Sequence, residues 1–252
     1  MPRDSNRFHV VETASCNRTL WWTWCLRADL YTIFKIDPHR SADVLMDLLG
    51  RDFEGTIGCD DFSAYRRFMR ECDIVIQFCL AHLIRDVKFL TTLPDAATKA
   101  YGERLRQALQ GLFEVIHRRD ELSAVVFERQ LKAARDVVLN AGMRDVPATR
   151  AAANMAQRFR KHGAAFFTFI TTPDVEPTNN SAEQAIRFVV IDRHITQGTR
   201  SETGRRWSER IWTTIATCAG QGRSVFGYLK ASVENWFNGQ PSPSLLPSAT
   251  RA

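Results

Sequence analysis

Two aspartates, Asp60 and Asp61, follow the apolar run "GTIGC" (55–59), and Glu183 stands inside "EPTNNSAEQAIR" (176–187). Carboxylates are hard oxygen ligands, so such residues suit a divalent cation of the Mg²⁺ type. Adjacent aspartates are costly to place in an apolar core, and strand ends of open α/β sheets are where ligand sites gather. Asp61 directly precedes "FSAYRRF" and suits a helix cap, which leaves Asp60 as the better cation ligand. A third group, Cys79 and His82 in "CLAHLIRD" (79–86), has the spacing of half a zinc site. No second pair completes four ligands, so packing at a helix start is the better reading.

Glu183 has two local explanations that need no metal. With Asn180 as N-cap it takes the third helical position, the capping-box arrangement. It also forms an i,i+4 pair with Arg187. Taken alone, the residues leave open whether Glu183 starts a helix or holds an ion.

The elements that must position these groups change character along the chain. "FHVVE" (8–12), "TLWWTWCL" (19–26) and "DLYTIFKI" (29–36) read as strands, the last two as a hairpin. "SADVLMDLLG" reads as a helix with Ser41 as N-cap and Gly50 as stop. A strand at 55–60, a short helix at 62–71 and a strand at 73–79 complete the order β-β-β-α-β-α-β. From about 82 to 172 the period is helical, with Leu105, Leu109 and Leu112 on one predicted helix and Val125, Leu131, Val137 and Val138 on a partner. A helix from about 181, the Arg- and Gly-rich "RHITQGTRSETGRRW" and two further helices follow.

At 252 residues with 44% hydrophobic and 25% charged residues, the chain suits one large globular domain or a domain with an insertion. It has neither an apolar run long enough for a transmembrane helix nor the apolar core of a signal peptide, so a cytoplasmic protein is expected. Its six cysteines are scattered and expected to be reduced thiols. The net charge of +6 and pI of about 9.2, carried mostly by arginine, fit a polyanionic partner or a solvated basic face.

An aspartate closing the fourth strand and a glutamate on a later helix describe a ribonuclease H-like fold. In that fold, carboxylates hold two divalent ions for phosphodiester chemistry. The segments "HVVET", "LWWTWC", "GTIGCDDFSAY", "QFCLAHLIRD", "EPTNNSAEQAIR" and "RRWSERIWTTIATCAGQGRSVFGYL" carry a resemblance beyond that outline. The chain resembles the catalytic domain of the IS66-family transposases, bacterial DDE enzymes, over roughly 8–235. The resemblance implies an α/β fold with a mixed five-stranded sheet and an all-helical insertion domain. The expected parts are a first core segment at 1–80, the insertion at 81–172, the rest of the core at 173–237 and a disordered tail at 238–252.

The resemblance also implies Mg²⁺ or Mn²⁺ as a two-ion cofactor and DNA, the transposon ends, as partner. The catalytic and metal-binding residues would be Asp60 and Glu183. Cys79, His82, Asn179 and Asn180 would support the site. Charge clustering, rather than the resemblance, sets Arg187, Arg193, Arg200, Arg205 and Arg206 near the DNA backbone or on a solvated basic face, and the enzyme would work as a homo-oligomer away from membranes. One position departs from the pattern. The first aspartate of the family's "H-x-D-E-T" falls on Val11, which offers no oxygen, and Glu12 on the opposite strand face does not replace it. With the family's N-terminal DNA-binding region also missing, the expectation is a truncated, inactive transposase. The alternatives are a non-catalytic DNA-binding remnant or regulator of an intact enzyme, and a ribonuclease H-like nuclease.

Overall fold

A computed structural model describes residues 7–14 and 21–246. Its five strands are β1 (Arg7–Ala14), β2 (Trp22–Arg27), β3 (Thr32–Asp37), β4 (Thr56–Cys59) and β5 (Val75–Phe78). They form one mixed sheet in the order β3-β2-β1-β4-β5, so the chain has the expected α/β character. β2 and β3 pair antiparallel as the predicted hairpin, with Ala28 N–H donating to the Tyr31 carbonyl in the connection. β1 pairs antiparallel with β2 and parallel with β4. Helix α1 (Ala42–Leu49) separates β3 from β4, and α2 (Ser63–Cys72) separates β4 from β5. The chain divides into two compact units, the described residues of 1–74 with 179–252, and Val75–Thr178.

In the first unit both faces of the sheet are covered. Four consecutive β2 residues, Thr23 to Leu26, are therefore buried, and burial is continuous rather than alternating. On one face Cys25, Phe34 and Ile36 pack against Ala185, Ile186 and Val189 of α8 (Asn180–Thr196) and Trp212 of α9 (Glu202–Gly220). Trp24 lies edge-on to Tyr65 of α2, with ring centroids 6.2 Å apart, and its indole N–H donates to the His39 carbonyl at 3.3 Å.

The outer edge of the sheet is closed by side chains. The N–H groups of Thr32, Phe34 and Ile36 donate to Thr217 Oγ1 (3.1 Å), Thr213 Oγ1 (3.1 Å) and Glu209 Oε1 (2.6 Å). Four residues along a helix advance about 6 Å and two along a strand about 6.6 Å, so the two rows stay in step. α9 thus caps an edge that would otherwise present unpaired donors. Beyond it, α10 (Val225–Phe237) is tied to the following segment. Tyr228 Oη donates to the Pro243 carbonyl at 3.1 Å and Asn235 Nδ2 to that of Pro241 at 2.8 Å. The chain at 241–243 is thus hydrogen-bonded to α10.

The second unit holds β5 with α3 (Leu80–Thr91), α4 (Ala96–His117), α5 (Ala124–Met143), α6 (Arg150–His162) and the short α7 (Thr168–Thr171). Leu105, Leu109 and Leu112 of α4 are buried as expected, as are Leu131 and Val138 of α5. Val125 and Val137 are exposed, contrary to the sequence reading. They fall outside the narrow stripe that α5 turns inward, where residues seven apart, such as 131 and 138, share one line. Among the described residues, no helix is long and apolar enough to cross a membrane.

Candidate active site

The parallel register of β1 and β4 sets His9 opposite Gly58. Counting two residues on from that pair matches Val11 with Asp60, just past the end of β4. Asp60 Oδ1 accepts the Phe62 N–H at 3.0 Å, an Asx-type turn that closes the strand-to-helix corner. Asp61 is not the cap it was expected to be. Phe62 occupies the N-cap position of α2 without a side-chain cap bond, and Asp61 pairs with Arg66 at 3.1 Å. The aspartate two residues before the turn N–H has the reach for it, and its neighbour does not.

Helix α8 starts one residue earlier than the capping-box reading requires. Its N-cap is Asn179, whose carbonyl accepts the Glu183 N–H at 3.2 Å, so Glu183 is the fourth helical residue rather than the third. The Asn179 side chain is buried and makes no cap bond to its own helix. Instead its Nδ2 donates to the Val10 carbonyl at 2.7 Å, and its Oδ1 lies 3.0 Å from His9 Nδ1. Asn180, next in the chain, is exposed. The turn carrying Glu183 is therefore attached to β1 beside Val10, on the strand whose next residue is matched with Asp60.

Val11 and Glu12 face opposite sides, as strand geometry demands. Val11 packs against the apolar cluster formed with α8 and α9. Glu12 Oε1 accepts both Nε (2.9 Å) and Nη2 (2.6 Å) of Arg40, and Oε2 accepts the Tyr65 hydroxyl. The Arg40 guanidinium lies 3.8 Å from the Phe62 ring centroid and 4.5 Å from that of Trp22. Burial raises the Glu12 carboxyl above its ordinary value and the charge of Asp60 adds to this, while Tyr65 and Arg40 pull it down. Tyr65 is raised well above its ordinary value by burial first and by Glu12 next. Held by Arg40 and the Tyr65 hydroxyl, the Glu12 carboxylate is a structural anion.

The sign of the Glu12 shift fixes a pH dependence. The folded chain holds this proton more tightly than the unfolded one, so the contribution to stability is full below the ordinary value of 4.5 and is lost as pH rises through the folded value. Glu12→Gln is expected to flatten that slope in urea-unfolding midpoints measured from about pH 4 to 7. An unchanged slope would assign the dependence to other groups.

The remaining candidates divide by environment. Arg187, Arg200 and Arg206 are exposed, Arg206 pairing with Glu202 at 2.7 Å. Arg193 instead donates from Nη1 to the Ala14 carbonyl, and Arg205 lies 4.0 Å from the Trp21 ring centroid. These two arginines are partly spent on holding the chain near the end of β1. In the second unit, buried Cys79 is the N-cap residue of α3 and half-buried His82 lies in its first turn, where Leu83 N–H donates to the Cys79 carbonyl. Cys25, Cys59, Cys72, Cys79 and Cys218 are not joined in disulfides, and Cys16 lies outside the described residues. Burial pushes the Cys25 thiol up to about 12, so it is no nucleophile at neutral pH.

The model of the transposase IS66 family matches residues 3–206, four fifths of the chain. The chain belongs to the IS66 transposase family. No curated protein matches it. The matched region of this IS66 transposase takes in positions 11, 60 and 183 and all five candidate DNA-contacting arginines, and it ends within α9. Membership places the chain among transposases, whose partner class is DNA and whose chemistry uses divalent metal. The hard oxygens of Asp60 and Glu183 suit such an ion, but Val11, packed into an apolar cluster, does not. The residues present do not fit a pair of bridged ions.

Proposed function

We propose that this IS66 transposase has a ribonuclease H-like DDE core interrupted by a helical insertion over 81–172, and that its metal centre has lost the first carboxylate. The β-β-β-α-β-α-β order and the sheet order β3-β2-β1-β4-β5 support the core. A complete centre of this class supplies two divalent ions that activate the attacking oxygen and stabilise the leaving one. This chain contributes Asp60, fixed at the end of β4 by its own turn, and Glu183, held on β1 through Asn179. The observation that carries the reading is Val11, two residues past the His9–Gly58 pair as Asp60 is, and packed against the apolar cluster that includes Ala185, Ile186 and Val189. The chain therefore binds transposon-end DNA in the cytoplasm without cutting it, and acts as a non-catalytic partner or regulator of intact copies. The exposed Arg187, Arg200 and Arg206 supply phosphate contacts that weaken as salt rises.

Cleavage and strand-transfer assays with Mg²⁺ or Mn²⁺ test this directly. The unaltered chain is expected to retard DNA in a salt-dependent manner and to leave it uncut. Val11→Asp is expected to raise cleavage roughly 100-fold or more over that background, about 2.7 kcal/mol of barrier, and Glu183→Gln in the same chain to abolish the gain. Robust cleavage by the unaltered chain that survives Glu183→Gln would sink the DDE assignment.

A further inference from the structure

We infer that His9, Gly58 and Asn179 form a latch that positions Glu183, and that Asn179 is a positioning residue of the carboxylate centre; this rests on the reading of Asp60 and Glu183 proposed above. The three residues come from three elements, β1, β4 and the start of α8, all within the first unit. Asn179 is 1% exposed, whereas Asn180 faces solvent, so the two asparagines of "EPTNN" have different duties. Asn179 Nδ2 is committed as donor to the Val10 carbonyl at 2.7 Å. Its Oδ1 can only accept, so the 3.0 Å contact requires His9 to carry its proton on Nδ1.

Gly58 makes that contact sterically feasible. A Cβ at position 58 would stand 2.7 Å from His9 Nδ1 and 3.2 Å from Cε1, so the imidazole lies across the space a side chain would fill. The same residue is the strand partner of His9 and stands two positions before Asp60. The chain of constraint runs from Gly58 to the ring of His9, from the ring to Asn179, and from the Asn179 carbonyl to the Glu183 N–H at 3.2 Å. It refers the turn bearing one carboxylate to the strand that ends at the other. A cap made by Asn179 on its own helix would have fixed only where α8 begins. A side chain turned onto β1 also fixes where that helix sits.

Long-range ¹H–¹⁵N NMR of the full chain reads the latch without any metal. His9 is expected as the neutral Nδ1–H tautomer near pH 7.5, reverting toward the ordinary Nε2–H form in Asn179→Ala and Gly58→Ala but not in Asn180→Ala. Hydrogen exchange at the Glu183 amide is expected to speed up at least tenfold in the first two variants. In a Val11→Asp background, Mn²⁺ affinity measured by paramagnetic broadening is expected to fall about tenfold with Asn179→Ala and with Gly58→Ala, and to hold with Asn180→Ala. Gly58→Ala leaves Asn179 intact, so it tests the latch if Asn179→Ala fails to fold. An unchanged tautomer and exchange rate in both latch variants overturns the latch itself. The NMR signature with no Mn²⁺ binding to Val11→Asp instead overturns the metal reading and, with it, the positioning role.

Discussion

Arg40→Met is expected to destabilise the chain by roughly 2–4 kcal/mol, read as a lower urea midpoint for the sheet-bearing unit. Arg40 donates twice to Glu12 Oε1, and the Glu12 side chain is only 3% exposed. Removing one partner of a buried pair costs about 3–5 kcal/mol because the other charge is stranded. Two effects pull the figure down here. The Arg40 side chain keeps 33% exposure, so solvent already screens part of its charge. The raised Glu12 carboxyl can also take up a proton when its cation is gone. Methionine keeps the apolar stem between Trp22 and Phe62 but loses the cation–π contribution of about 0.5–2 kcal/mol. Glu12→Gln added to Arg40→Met is expected to recover about half of the loss, since no stranded charge remains. A midpoint shift below about 0.5 kcal/mol for Arg40→Met would show that Glu12 does not need its cation.

Thr213→Val combined with Thr217→Val is expected to cost about 2–4 kcal/mol, although each substitution conserves shape. Thr217 Oγ1 accepts from Thr32 N–H and donates to the Thr32 carbonyl, both at 3.1 Å, and Thr213 accepts from Phe34 N–H. Valine leaves the donors of the edge strand without acceptors, at about 1–3 kcal/mol for each buried group. Amide hydrogen exchange makes the test local. Thr32 and Phe34 are expected to lose protection in the double variant, while Ile36, held by Glu209, keeps it. Serine at both positions retains the acceptors and is expected to restore protection at Thr32 and Phe34. Unchanged exchange in the valine variant would mean that α9 covers the edge by packing alone. The uncovered strand also predicts concentration-dependent association, because β3 then offers a template for another chain.

Much of the architecture was legible in the residues. The apolar runs at 8–12, 55–59 and 73–79 and the helical spacing at 105–112 are local patterns, and strand and helix periods are set by local backbone geometry. The carboxylate candidates were legible by type and by their place at element ends, and the family by the order of its short motifs. Within those motifs the duties were misassigned where two adjacent residues had similar chemistry. Asp61 was expected as the helix cap, but Phe62 is the N-cap residue and Asp60 accepts its N–H; likewise Asn179, not Asn180, is the N-cap residue of α8. One residue of register separates the two readings in each case, and capping preferences do not resolve it. The arginines divide for a similar reason. Charge clustering counts Arg193 and Arg205 with the exposed residues, but one reaches the Ala14 carbonyl and the other stacks on Trp21.

The sequence by itself determined the order of the elements, the kind of chemistry the carboxylates suit, and the presence of valine at position 11. Only the tertiary structure decided what those residues touch. Asn179 meets His9 across 170 positions of chain, and Thr217 meets Thr32 across 185. No local propensity encodes either contact. Each arises because a buried donor or acceptor must be paired, and the partner available is the one that the sheet register and helix packing bring alongside. By the same logic Glu12 is claimed by Arg40 and Tyr65, and Val11 is left facing α8 and matched with Asp60.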